Sequence, residues 1–145
     1  LPYLYLISSF NYLQPQHRTE YADITKPWAF AQQHFNLVTF SLVLEHIEDL
    51  RFVSEQAVAC ARSGGLMYVG ELPPFKQYQC NQARFDTPAG RVAVQVHRHH
   101  VSEFLQQAKA AGLDLLDLRE WFDVDNATAP PRILTLLLQK MQVVS

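Results

Sequence analysis

The apolar residues of the chain fall into short runs with two different periods, one of a strand and one of a helix. Phe35-Asn36-Leu37-Val38-Thr39-Phe40-Ser41-Leu42 is rich in β-branched and aromatic residues and apolar on both faces. That pattern predicts a strand at the buried centre of a parallel sheet. From Asp49 to Arg62, Leu50, Val53, Ala57 and Cys60 or Ala61 recur on one helical face. Asp49 is placed to cap this helix, and Gly64-Gly65 to stop it with left-handed backbone. A second apolar strand, Leu66-Met67-Tyr68-Val69-Gly70, follows directly. Strand, helix, glycine turn and strand within about 35 residues predict a right-handed βαβ unit.

The flanking segments are read in the same way. Leu4-Tyr5-Leu6-Ile7 is a strand, Asn11 to Arg18 is loop or weak helix, and Glu20 to Ile24 is a short strand stopped by Thr25-Lys26-Pro27. Pro73-Pro74 breaks the chain. Gln82 to Phe85 and Arg91 to Val96 then flank Thr87-Pro88-Ala89-Gly90, which predicts a hairpin with a four-residue loop inserted at about residues 82–97. Ser102 is the expected cap of a helix, with Glu103 in its first turn. Phe104, Leu105, Ala108 and Ala111 face inward, and Gly112 ends it. Leu113 to Phe122 and Arg132 to Lys140, joined through the polar Asp123 to Pro131, predict an antiparallel pair. The whole is an α/β chain of one domain, residues 1–145, without internal repeats.

Composition narrows the classes. At 145 residues, 48% hydrophobic and 18% charged, the chain is a packed globular protein. Twelve basic against fourteen acidic residues give a net charge of −2, which argues against a nucleic-acid partner. No apolar run is long enough to span a bilayer. Leu1 to Ile7 lacks the basic leader and cleavage site of a signal peptide. Cys60 and Cys80 are too few for a disulfide framework and too far apart for a metal or redox pair. Cys60 reads as a buried apolar residue. A reducing, cytoplasmic setting is expected.

Phe35-Asn36-Leu37-Val38 followed by Leu42-Val43-Leu44-Glu45-His46 resembles the fourth strand and following loop of class I S-adenosylmethionine-dependent methyltransferases, in particular the small-molecule group called type 11. Tyr21-Ala22-Asp23 is similar to the end of that family's third strand, and Pro27-Trp28-Ala29-Phe30 to the variable loop before its fourth. Arg62-Ser63-Gly64-Gly65-Leu66 resembles the turn before the fifth strand, and the two terminal strands match its antiparallel sixth and seventh. The resemblance covers the chain from about Tyr21 onward. It implies a Rossmann-like sheet, parallel at its centre, with an antiparallel C-terminal pair and an inserted β-hairpin. It also implies S-adenosylmethionine as cofactor and a small-molecule methyl acceptor. One departure stands out. All five glycines, Gly64, Gly65, Gly70, Gly90 and Gly112, lie in the second part of the chain, and there is no GxGxG turn. The first βα unit is therefore expected to be absent, leaving a C-terminal portion that binds cofactor weakly or a degenerate, non-catalytic remnant whose free sheet edge forms a homodimer.

Residue roles follow from the resemblance, each beside a plainer alternative. Asp23 is the acid near the adenine amine, or an ordinary turn residue. Ile24, Ser41, Leu42 and Glu45 complete the cofactor wall. His46 is the base that takes a proton from the acceptor, or simply the start of the next helix. His97, His99 and His100 form a polar lip over the acceptor, or the entry to a helix; their spacing does not suit a metal. Glu71, Trp121 and Arg132 sit in the loops that shape acceptor choice. Arg84 reads as a solvated surface charge.

Overall fold

The computed structural model describes residues 5–9, 18–29, 35–78, 84–88, 90–93, 95–125 and 128–142. In chain order its elements are β1 (Tyr5–Ser9), β2 (Arg18–Ala22), β3 (Phe35–Ser41), a 3-10 turn at Leu44–His46, α1 (Leu50–Cys60) and β4 (Ala61–Glu71). They continue with α2 (Pro74–Tyr78), β5 (Arg84–Thr87), β6 (Gly90–Ala93), α3 (Val101–Ala110), β7 (Leu113–Trp121) and β8 (Ile133–Lys140). Four strands form the main sheet in the order β3-β4-β8-β7. β3 and β4 are parallel and joined through α1, whereas β8 runs antiparallel to both β4 and β7. This is the expected Rossmann-like arrangement, with a parallel pair leading into an antiparallel C-terminal pair.

α1 forms where the periodicity placed it. The Asp49 carboxylate accepts the Phe52 amide at 2.9 Å, and Leu50, Val53, Ser54, Ala57 and Cys60 are buried on one face. The helix ends at Cys60, earlier than expected, because Ala61 is already extended. A cation from the end of β8, the strand beside β4, meets the carbonyls here: Lys140 Nζ donates to Val58 O in the last turn at 2.7 Å and to Ala61 O just beyond the helix at 2.8 Å. Gly64 has φ +69° as predicted, but within the start of β4, where the β3–β4 register shifts between Phe35 and Leu37. Gly65 is fixed by crowding: a Cβ there would lie 2.8 Å from Arg62 O and 3.2 Å from Phe35 O.

Among the described residues, one face of the sheet packs on α1 and α3. Phe40, Met67, Val69, Leu134, Leu136 and Leu138 pack there with Val53, Ala57 and Ala108 in a single core, joined by Ile24 and Trp28. β3 is therefore not the fully buried strand that its sequence suggested. Among the described residues it pairs with β4 alone, and its alternate residues Leu37 (49% exposed), Thr39 and Ser41 are open to solvent.

Further differences are local. β2 stops at Ala22, so Asp23 lies in the turn beyond it, and β1 and β2 form an antiparallel pair separate from the main sheet. The hairpin is tighter than expected: Thr87 already pairs with Gly90. Residues 82, 83 and 94, assigned to its strands from sequence, lie outside the described residues, as does Cys80. His100, not Ser102, stands at the N-cap of α3, and its side chain makes no capping bond. Pro74 opens the short α2 instead of merely breaking the chain, as proline can at a first helical position. β8 begins at Ile133, one residue after Arg132.

Candidate functional site

Register brings Ser41, Glu71 and Trp121 to one edge of the sheet. Ser41 pairs with Gly70, Glu71 with Leu134, and Trp121 with Ile133. The ends of β3, β4 and β7 and the start of β8 therefore coincide. This is the carboxyl edge of the parallel pair, where open α/β sheets place their ligands.

The loop after β3 is the ledge of this edge. Leu42 continues the β3–β4 ladder by donating its amide to Gly70 O at 2.8 Å, then turns the chain with φ 52°. That left-handed backbone is uncommon for leucine, and it leaves the Leu42 side chain exposed. The 3-10 turn follows, carrying Glu45 and His46, both half-buried. Glu71 lies behind it. The Glu71 side chain is 1% exposed, and its Oε1 accepts the amides of Val43 at 3.0 Å and Leu44 at 2.9 Å. Oε2 is buried without a hydrogen-bond partner among the described residues. Burial pushes the Glu71 carboxyl above the ordinary range. The amides of Leu44 and Val43, and more weakly that of Glu45, oppose that rise, and the nearby charge of Glu45 adds to it.

The segment after the hairpin is zipped onto this ledge. His97 N donates to Glu45 O at 2.7 Å, His46 Nδ1 to Gln95 O at 3.2 Å, and His99 Nε2 to Ile47 O at 2.5 Å. The His46 bond assigns the tautomer of the neutral ring: Nδ1 carries the proton and Nε2 the lone pair, 3.5 Å from Glu45 Oε1. His99 is only 5% exposed, held between Ile47 O and the Glu103 carboxylate, which lies 3.0 Å from its Nδ1. His100 is exposed and bonds through Nδ1 to the Tyr78 hydroxyl. The three histidines therefore have three situations: His97 half-buried beside the ledge, His99 a buried brace, and His100 a surface partner of α2. No three His, Cys, Asp or Glu side chains converge to hold a metal ion among the described residues.

At the other end of this edge, the half-exposed Trp121 donates Nε1 to Thr135 Oγ1 at 2.9 Å. Arg132 is exposed, pairs with Asp123 at 3.1 Å, and donates its amide to Trp121 O. Ile24 is buried: its carbonyl accepts Trp28 Nε1 at 2.9 Å, and the Trp28 ring lies 6.3 Å from that of Phe40, in the last turn of β3. Ile24 thus belongs to the core, and it carries Asp23 towards the same end of the sheet. Asp23 closes an Asx turn, accepting the Thr25 hydroxyl at 2.6 Å and its amide at 3.0 Å. The Thr25 hydroxyl holds the Asp23 carboxyl below its usual range, with the Thr25 amide and Lys26 assisting against slight burial. The side chain of Arg84 is outside the described residues. Tyr78, which sequence reasoning did not single out, joins this region through α2; the spacing of Phe75 and Tyr78 after Pro74 was the available signal.

No family model matches the sequence, and no curated protein does. Solved structures do match in fold. One is a putative S-adenosylmethionine-dependent methyltransferase from Listeria monocytogenes, 15% identical, with a TM-score of 0.65 over 76% of this chain and 63% of that one. A second, from Mesorhizobium loti, is an S-adenosylmethionine-dependent methyltransferase of 17% identity and TM-score 0.65, covering 82% and 67%. A third, Burkholderia thailandensis 1,6-didemethyltoxoflavin-N1-methyltransferase, holds its substrate and S-adenosylhomocysteine; it is 13% identical at TM-score 0.55, over 83% and 49%. The chain spans about two thirds of the length of the first two.

Proposed function

We propose that this chain, which carries the methyltransferase fold over part of its length, forms the acceptor side of a site that transfers a methyl group from S-adenosylmethionine to a small molecule. The observation that supports the reading best is the shared edge. Ser41, Leu42, Glu45, His46 and His97 stand together beyond the ends of the parallel strands. The residues present fit the adenine side of such a cofactor: an acceptor at Asp23 kept ionised by its Asx turn, and an exposed hydroxyl and apolar wall at Ser41 and Leu42. The five glycines offer no turn of GxGxG pattern for the methionine part.

When bound, the cofactor supplies an electrophilic methyl group. The tasks of this chain are then positioning and proton transfer. Gln95 O holds the Nδ1 proton of His46, so Nε2 is the nitrogen that takes a proton from the acceptor. Glu45 stabilises the imidazolium formed. His97, Trp121 and Arg132 border the acceptor, with His100 at the rim, while Ile24, His99 and Glu71 shape the ledge from behind. The −2 charge and the lack of a basic stripe favour a small acceptor over nucleic acid. No helix among the described residues is long and apolar enough to cross a membrane; a cytoplasmic place is part of the proposal.

Calorimetry with S-adenosylhomocysteine, on the chain and on the full-length gene product, tests the reading. Saturable one-to-one binding by the gene product is expected, and its absence would overturn the assignment. His46→Gln should leave that affinity in place and slow transfer by about a hundredfold or more. The edge of β3, unpaired among the described residues, and the face carrying the exposed Leu37 and Tyr68 support a second reading, a non-catalytic module that pairs with a second copy. Sedimentation at micromolar concentration would give a dimer in that case and a monomer otherwise.

A further inference from the structure

We infer that Glu71 is a positioning residue: from the end of β4 it holds the backbone at Val43 and Leu44, and so sets the shape of the ledge that carries Glu45 and His46. The loop after β3 is too short and irregular to satisfy its own amides, and a 3-10 turn leaves its first N–H groups without partners inside the turn. One buried oxygen of Glu71 takes two of them. No other side chain of the described residues bonds these two amides. The position of Glu71 is itself over-determined, because β4 is flanked by β3 and β8 and Glu71 pairs with Leu134. The anchor is therefore rigid and the loop is what it steadies. Leu42, left-handed at φ 52°, is the joint between the two.

The lone Oε2 identifies what kind of anchor this is. A carboxylate kept for its charge would have both oxygens paired, whereas among the described residues Oε1 carries the bonds from Val43 and Leu44 and Oε2 carries none. The useful property is an acceptor of fixed position, which a neutral acid or an amide also provides. Glu45, on the turn itself, is the charged group acting on Glu71; its partner across the strands is Leu134, and Leu42 bonds to the adjoining Gly70 carbonyl. The proposed function above gives the loop its purpose, but the inference about Glu71 can be checked without any ligand.

The experiment is amide hydrogen exchange and pH titration by NMR on the 15N-labelled protein, its Glu71→Gln variant and its Glu71→Leu variant. Glu71→Gln keeps the acceptor oxygen and should leave Val43 and Leu44 protected as in the parent. Glu71→Leu should speed exchange at those two amides about tenfold or more, while Leu136 and Leu138 in β8 stay unchanged. In the parent, the Val43 and Leu44 amide shifts should titrate together above the ordinary glutamate range, and in Glu71→Gln that titration should vanish. Equal protection in Glu71→Leu, or a loss in Glu71→Gln as large as in Glu71→Leu, would overturn the proposal. Should Glu71→Leu fail to fold, the parent and Glu71→Gln titrations decide alone: two amides that do not follow Glu71 would overturn it.

Discussion

Cys60 and His99 show how a single residue's surroundings decide its chemistry. Cys60 is buried against α1's own backbone, its thiol donating to Ala57 O at 3.3 Å, and desolvation pushes it up to about 11. At pH 8 such a thiol is thiolate to about one part in a thousand. In a Cys80→Ser background, therefore, native protein should not react with Ellman's reagent over minutes, and should react in full once unfolded. A fast native reaction would show the helix open. Burial of Cys60 was legible because a small apolar residue recurred at the helical spacing of Val53 and Ala57. His99 was not legible in that way. In sequence it is one of three neighbouring histidines, and only the meeting of its ring with Ile47 O, 52 positions away, separates the brace from the surface residue His100. Asp23, Ser41, Leu42, Glu45 and His46 were legible as strand-end residues, since strand ends are set by local pattern.

At the scale of elements, α1 is held at both ends by specific groups. Asp49 at its N-cap is worth about 1 kcal/mol, so Asp49→Ala should lower stability by that much in a urea melt. Lys140 meets the Val58 carbonyl in its last turn and the Ala61 carbonyl just beyond it, which combines charge-assisted hydrogen bonds with a cation at the negative end of the helix. Lys140→Met keeps the alkyl stem and removes the donor; a loss of about 1–2 kcal/mol is expected. A change below a few tenths of a kcal/mol would show that water replaces the ammonium. The N-cap was readable from Asp49 standing just before the first apolar position. The C-cap was not, because its donor comes from the last residue of β8. Likewise β3 looked central by composition, yet exposure is a property of what lies beside a strand and not of the strand.

For the whole molecule, stability should respond to pH through two carboxyls of opposite sense. Asp23 is lowered in the fold, so its contribution is present above the unfolded value and lost as pH falls through the folded one. Glu71 is raised, so the fold binds a proton that the unfolded chain has released, and stability falls as pH climbs from the ordinary glutamate range towards its folded value. Thermal melts from pH 4 to 8 should therefore show a declining limb in the parent that flattens in Glu71→Gln. An unchanged slope would mean that another group carries it. The sequence alone determined the βαβ unit, the antiparallel ending and the strand ends that carry the candidate residues, because hydrophobic period, capping and glycine placement act over a few neighbouring residues. Tertiary structure decided which of those residues meet. The zip of Gln95, His97 and His99 onto residues 45–47, the buried anchor at Glu71 and the open face of the sheet all depend on contacts between distant segments, and hydrogen bonds across such distances leave no periodic trace in the chain.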